Sequence, residues 1–128
     1  KCIDCKATHP KWASVNNGIF LCINCAAKHR NMGCHISFVR SISLDSWSNI
    51  QLKRIEYGGN NKLKQFWKDQ QFPKGLTPEQ KLNNEAMDKY RENLLKQAKG
   101  ESVNKIPFCG YQKREIQPRK FDSKSMKG

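Results

Sequence analysis

Apolar residues recur along this chain in two rhythms. Near the N-terminus they come in short extended stretches: Ala13-Ser14-Val15 and Ile19-Phe20-Leu21 flank Asn17-Gly18, a two-residue turn signal, so the stretch predicts a hairpin. Residues 23–32 then read as a helix stopped by Gly33, and residues 37–43 (SFVRSIS) alternate well enough for a short strand. Asp45 or Ser46 can cap a second helix, whose apolar face includes Trp47, Ile50 and Ile55 and which Gly58-Gly59 ends. Leu63, Phe66 and Trp67 stand at i, i+3 and i+4, the spacing of another short amphipathic helix. Phe72-Pro73-Lys74-Gly75 is a break. Thr77-Pro78-Glu79-Gln80 then starts a helix, with a threonine cap, proline in the first turn and glutamine at the capping-box position. Leu82, Ala86, Tyr90 and Leu94 continue it in four-residue steps to Lys99-Gly100. Beyond Glu101, isolated Ile106, Phe108, Tyr111 and Phe121 punctuate a polar, basic stretch that either docks loosely or acts as a linker.

Composition bounds this picture without deciding function. The 128 residues fit one domain, expected over 1–100, with a basic extension or linker over 101–128, and 37% hydrophobic residues suffice for one small core. The net charge of +13, with pI near 9.7, favours phosphate-rich partners: nucleic acid, an anionic membrane, a bound nucleotide, or an acidic protein. That charge is spread out. Residues 1–70 hold 11 basic and 4 acidic side chains and residues 71–128 hold 13 and 7, so the halves carry +7 and +6. No run of five consecutive basic residues occurs, which argues against a nucleic-acid-binding arm. The longest strongly apolar run, residues 19–23, is far too short to span a bilayer, and there is no signal-peptide pattern. Because the chain begins one residue before its first cysteine, it is read as a fragment with a truncated N-terminus.

The cysteines change the picture. Cys2-x2-Cys5, sixteen intervening residues, then Cys22-x2-Cys25 is the double-knuckle spacing of a four-thiolate zinc site rather than of paired disulfides. In each knuckle a tight turn aims both sulfurs at one metal, about 2.3 Å away, and the hairpin between them returns the second pair to the first. Four thiolates close the shell, so the zinc is expected to be structural, with no position for water or substrate. Metal binding then contributes directly to folding. A reduced, metal-stabilised domain fits the cytosol better than a secreted protein. Cys34 and Cys109 are left over, as are His9, His29 and His35.

Arg30, five residues past Cys25, cannot serve the metal, because a guanidinium has no free lone pair. Seven residues is almost two helical turns, so Ile23 and Arg30 share a face, with Arg30 about 7–8 Å along the axis from Cys25. Spacing alone leaves two readings, a surface arginine on a basic protein or a cation held out toward a partner. Arg40, in the predicted strand, is a rival cation expected to pack or pair on its own surface.

The run Cys2-x2-Cys5-x16-Cys22-x2-Cys25-x4-Arg30 resembles the signature of the Arf GTPase-activating proteins (ArfGAPs). The resemblance extends through Pro10-Lys11-Trp12-Ala13-Ser14-Val15-Asn16, Gly18-Ile19-Phe20-Leu21-Cys22, His29-Arg30-Asn31-Met32-Gly33, His35-Ile36-Ser37 and Leu44-Asp45-x-Trp47. It is close over residues 1–70 and looser to about residue 100. Cys34 departs from it, standing where an aliphatic residue is usual. The resemblance implies an ArfGAP-like α+β, mostly helical fold, in which a small four-cysteine zinc-finger hairpin and short strands pack against several α-helices. It also implies that Arg30 is an arginine finger supplied in trans to a GTP-bound Arf-family small GTPase, with no catalytic site of the chain's own. Partner contacts are implied at Trp12, Ile23, Leu44 and Asp45. Each has a plainer alternative: Trp12 roofing the knuckle, Leu44 in the core, Asp45 capping a helix. The implied setting is vesicle trafficking by a cytoplasmic monomer at Golgi or endosomal membranes, in contact with anionic lipid and without nucleic acid. Two other readings stand beside it. One is a GATA-like nucleic-acid-binding finger, disfavoured by some 70 residues of helical pattern that follow. The other is a non-catalytic module binding Arf or lipid.

Overall fold

In the computed structural model, which describes residues 1–114 and the backbone of residues 122–123 and 125–126, the N-terminal third is a three-stranded sheet clasped to a short helix. The strands are β1 (Trp12–Ser14), β2 (Ile19–Leu21) and β3 (Val39–Ser41), ordered β2-β1-β3 and antiparallel throughout. Trp12 pairs with Leu21 on one side and Ser41 on the other. The hairpin is therefore present, but its loop is four residues long rather than two, because Ser14 pairs with Ile19. Gly18, at φ +65, closes that loop by donating its N–H to the Val15 carbonyl at 3.1 Å. A β-carbon on Gly18 would stand 2.8 Å from the Arg54 carbonyl oxygen, so the turn needs glycine for close approach as well as for its dihedral.

Five helices follow the hairpin: α1 (Ile23–Arg30), α2 (Asn49–Tyr57), α3 (Asn60–Asp69), α4 (Pro78–Leu82) and α5 (Glu85–Ala98). The expectations for the second helix and for the helix begun at Thr77 need correction. Asp45 and Ser46 do not cap α2; Ser48 does, in a capping box with Gln51, and none of the residues of α2 is buried. The helix that Thr77 starts, with the expected capping box from Gln80, stops at Leu82. Asn84 then caps a new helix, its side-chain oxygen accepting the Met87 N–H at 2.9 Å while its amide donates to the carbonyls of Gln80 and Lys81. An asparagine pair inside an otherwise periodic segment offers caps that compete with helix continuation, so the four-residue rhythm crosses a bend.

The cysteine-knuckle end and the helices share one core. Cys2, Ile3, Ile19, Leu21, Cys25, Ala26, Met32 and Ile36 pack in the same cluster as Leu63, Leu82, Met87, Tyr90 and Leu94. The segment after Gly100 docks as an extended strap. Ile106 packs against the core, and the buried Gln70 side chain donates to the Pro107 carbonyl and accepts from the N–H groups of Cys109 and Gly110. Arg114 reaches Asp88 at 2.8 Å, and Tyr111 meets Phe72 edge-on. Phe121 lies outside the described residues.

Candidate functional site

Two tight turns bring the four sequence-predicted cysteines together. Around the first, Lys6 N–H donates to the Cys2 carbonyl and takes a left-handed φ of 65, while Ile3 N–H binds the Phe20 carbonyl of β2. The second turn runs into α1, where Cys22 is the N-cap residue and its sulfur accepts the Cys25 N–H at 3.5 Å. The four sulfurs all lie within 4.8 Å of one another. Cys5 and Cys22 are 3.5 Å apart at sulfur, much too far for a disulfide and close to the edge of about 3.8 Å that a tetrahedron of 2.3 Å metal–sulfur bonds requires. The Cys25 N–H holds the Cys22 thiol down at about 7, whereas burial pushes the Cys25 thiol up. Thiols this close cannot all ionise unless a cation lies between them, so the donor set fits a tetrahedral, thiophilic metal ion.

Helix α1 carries its C-terminal end, with Arg30, away from that cluster. Ala26 and Ala27 are strong helix formers, and Lys28 and Arg30 in the last turn complement the negative end of the helix dipole. The helix ends at Arg30, two residues earlier than the sequence suggests, because Asn31 caps it and Gly33, at φ +95, turns the chain back. Arg30 is exposed, and its guanidinium carbon sits 4.5 Å above the Trp12 ring centroid. Among the described residues it has no carboxylate partner. Arg40, by contrast, faces Asp45 at 3.9 Å and covers the Phe38 ring at 4.8 Å, as expected of a cation that packs on its own surface.

The remaining candidates separate by exposure and by contact. Trp12 is half-buried, packed on the core cluster and lying under Arg30, so it meets both the cluster containing the cysteines and the candidate finger. Ile23, at the start of α1, is 65% exposed. Leu44 is 82% exposed, which overturns the alternative that it belongs to the core. Asp45 braces the loop that projects Leu44: its carboxylate accepts the Ser41 N–H at 2.6 Å, while Ser41 Oγ accepts the Leu44 N–H and the Ser41 carbonyl accepts Trp47 Nε1–H. Since Ser41 pairs with Trp12 in the sheet, this loop leaves from beside the tryptophan.

His29, spare on a ligand count, proves to be wholly buried. Its ring nitrogens bind Asp4 Oδ2 and Ser37 Oγ, each at 2.7 Å. The available signal was its i+4 spacing from Cys25, which puts it on the inward face of α1. Elsewhere, a cavity of about 1000 Å³ between α3, α5 and the strap is lined by no residue of α1 or the three-stranded sheet. Among the described residues no helix is long and apolar enough to cross a membrane.

Comparison with known proteins agrees with this geometry. Residues 1–99 match the ArfGap family model, described as a GTPase activating protein for Arf. The chain is 42% identical over 94 residues to the Saccharomyces cerevisiae ADP-ribosylation factor GTPase-activating protein GCS1, covering 73% of this chain and 27% of that protein. It is 43% identical over 94 residues to the Mus musculus ADP-ribosylation factor GTPase-activating protein 3, covering 73% of this chain and 18% of that one. The chain thus spans about a quarter or less of these relatives' length. A solved Cryptosporidium parvum structure, described as a GTPase activating protein for ADP ribosylation factor, superposes with a TM-score of 0.69 at 35% identity, covering 77% of this chain and 79% of that one. The spacing of the four cysteines, the fold built around them and these matches agree, and the chain belongs to the Arf GTPase-activating protein family.

Proposed function

We propose that this protein accelerates GTP hydrolysis by an Arf-family small GTPase in its GTP-bound form, and that Arg30 enters the partner's nucleotide site as an arginine finger. The observation that carries the reading is the state of Arg30 itself. It is an exposed guanidinium at the end of a short helix whose start is tied to the cysteine cluster, stacked on Trp12 and free of any carboxylate among the described residues. A cation already paired to its own protein would have to break that pair before serving another.

Hydrolysis spreads negative charge over the γ-phosphoryl oxygens and the leaving oxygen. A planar guanidinium can donate to two of these at once, and in a site closed to water each bond is worth far more than in solution. Fingers of this kind contribute about 10³ to 10⁵ in rate, or roughly 4–7 kcal/mol. Trp12, Ile23, Leu44 and Asp45 are read as the contacts that seat the partner around the finger. Zinc held by Cys2, Cys5, Cys22 and Cys25 would supply a structural crosslink and no chemistry of its own. Residues 1–100 are the activating unit and residues 101–128 its basic extension. The same reading makes the protein a cytoplasmic monomer working in vesicle trafficking at Golgi or endosomal membranes, where its charge favours anionic lipid.

Single-turnover GTP hydrolysis by a panel of GTP-loaded Arf proteins tests this. The native protein is expected to speed hydrolysis, Arg30→Ala to remove at least about 10³-fold of that stimulation, and Arg30→Lys to restore little of it, since an ammonium cannot fork between two oxygens. Full stimulation by a folded Arg30→Ala protein would defeat the mechanism.

A further inference from the structure

A line of hydrogen bonds crosses the interior from α5 to the first cysteine turn, and it passes beside Arg30. Arg91 Nη1 donates to Asn17 Oδ1 at 3.1 Å, and Asn17 Nδ2 donates to Ser14 Oγ at 2.8 Å. Ser14 Oγ lies 2.7 Å from Ser37 Oγ, which lies 2.7 Å from His29 Nδ1, and His29 Nε2 lies 2.7 Å from Asp4 Oδ2. Ser14, Asn17, His29 and Ser37 are each 1% exposed or less. Buried hydrogen bonds linked in this way polarise and strengthen one another in a low-dielectric interior.

The imidazole of His29 holds three pieces of chain together. It grips the Cys2–Cys5 turn through Asp4, the α1–β3 connection through Ser37, and, through Ser37, the strand carrying Ser14. Ser14 and Trp12 are two residues apart on β1, so their side chains leave the same face of the strand. His29 and Arg30 are adjacent at the end of α1. The two partners in the guanidinium–indole stack therefore belong to the two elements that this one side chain joins. A buried aliphatic residue would fill the same space, but it would not fix the register between α1 and β1, since dispersion contacts have no direction and hydrogen bonds do.

We infer that His29, acting with Asp4 and Ser37, is a positioning residue for Arg30: it sets where the guanidinium stands over Trp12 before any partner arrives. The role in hydrolysis rests on the finger reading; the positioning itself does not. A displacement of about 1 Å at a reacting group costs on the order of 10²-fold in rate, so a slackened register lowers the maximal rate while leaving partner binding nearly intact.

The test uses the metal-loaded protein and two variants of the chain, His29→Gln and the milder Ser37→Ala, which deletes one hydroxyl. Asn84→Ala, a destabilising change outside the chain of bonds, is the control for loss of stability alone. The first readout needs no GTPase: in the NMR spectrum, ring current from Trp12 shifts the Arg30 side-chain protons upfield, assigned by their loss in Arg30→Ala. Those protons are expected to move toward ordinary arginine positions in His29→Gln and Ser37→Ala, with bound metal retained, and to stay in place in Asn84→Ala. The second readout is single-turnover hydrolysis, where Ser37→Ala is expected to lower the maximal rate about tenfold or more with little change in the protein concentration giving half-stimulation. Unshifted Arg30 protons in folded, metal-bound Ser37→Ala overturn the inference, as does an equal displacement in Asn84→Ala. If the native protein stimulates none of the GTPases, it is the finger reading that fails, and the NMR comparison alone decides the positioning.

Discussion

Arg30 and Leu44 illustrate why exposure carries information only with a second observation. A long cation on a basic surface is ordinary, and so is an exposed leucine. What distinguishes Arg30 from Arg40 is an aromatic stack with no carboxylate beside it among the described residues; the stack is worth about 0.5–1 kcal/mol at an exposed site, which biases the side chain toward the ring without locking it there. Leu44 is distinguished by its loop, which Asp45, Ser41 and Trp47 hold by hydrogen bonds while the leucine points outward. The Arg40–Asp45 pair adds little, since both side chains are more than a third exposed and screened by solvent. Truncation at Leu44 discriminates a partner contact from a structural one. Leu44→Ala is expected to change unfolding free energy by less than about 0.5 kcal/mol, read by urea denaturation, while raising the concentration needed for half-stimulation of the GTPase. A loss of several kcal/mol in stability would return the residue to the core.

Among the elements, the break between α4 and α5 shows side-chain capping overriding periodicity. Asn84 is 1% exposed and satisfies one helix start and two helix-end carbonyls at once. Asn84→Ala removes all three bonds inside the protein, and the expected cost is about 1–3 kcal/mol, measured as a lowered urea midpoint at unchanged slope. A neutral result would mean that water takes over the exposed backbone groups. The apposition of Gly18 with the Gly58-Gly59 pair is a second decision made between elements. The Gly59 N–H donates to the Gly18 carbonyl at 2.7 Å, and a β-carbon on Gly58 would stand 2.8 Å from the Arg54 carbonyl oxygen and 3.1 Å from that of Gly18. One glycine pair read as a helix stop and another glycine read as a turn thus form a single contact, which lets the hairpin lie directly on the end of α2.

At the scale of the whole molecule, the cysteine cluster and the hydrophobic core are one structure rather than two. Cys2 and Cys25 lie in the same buried cluster as Leu82 and Met87, so removal of a metal held by the four thiols should be felt far from them. Chelation is expected to lower the thermal midpoint of the entire chain in one transition, followed by circular dichroism, and to release Arg30 from Trp12. Acid should act in the same direction, because protons compete with the metal for thiolate, and binding releases protons. A separate early transition confined to the N-terminal third would show that the helices fold without the knuckle. The strap over residues 101–114 belongs to this fold as well, through Gln70, Ile106 and the Arg114–Asp88 pair.

What depends on near neighbours is legible in the residues alone: the two cysteine knuckles, the Thr77 capping box, the glycine that turns the chain after α1, and the helical run between Cys25 and Arg30. Each is written within a few residues, where backbone dihedrals and hydrogen-bonding reach are set locally. Which distant groups meet is a matter of packing. Nothing local in Asn17 announces Arg91, nothing in Gln70 announces Pro107, and nothing in His29 reveals that it joins Asp4 to Ser37. Those contacts span between 8 and 74 residues, and they exist because a buried polar group must find a partner wherever the packed chain brings one. The candidate finger was legible from spacing and resemblance; the bonds that hold its helix against β1 were not, because they depend on packing between segments far apart in the chain.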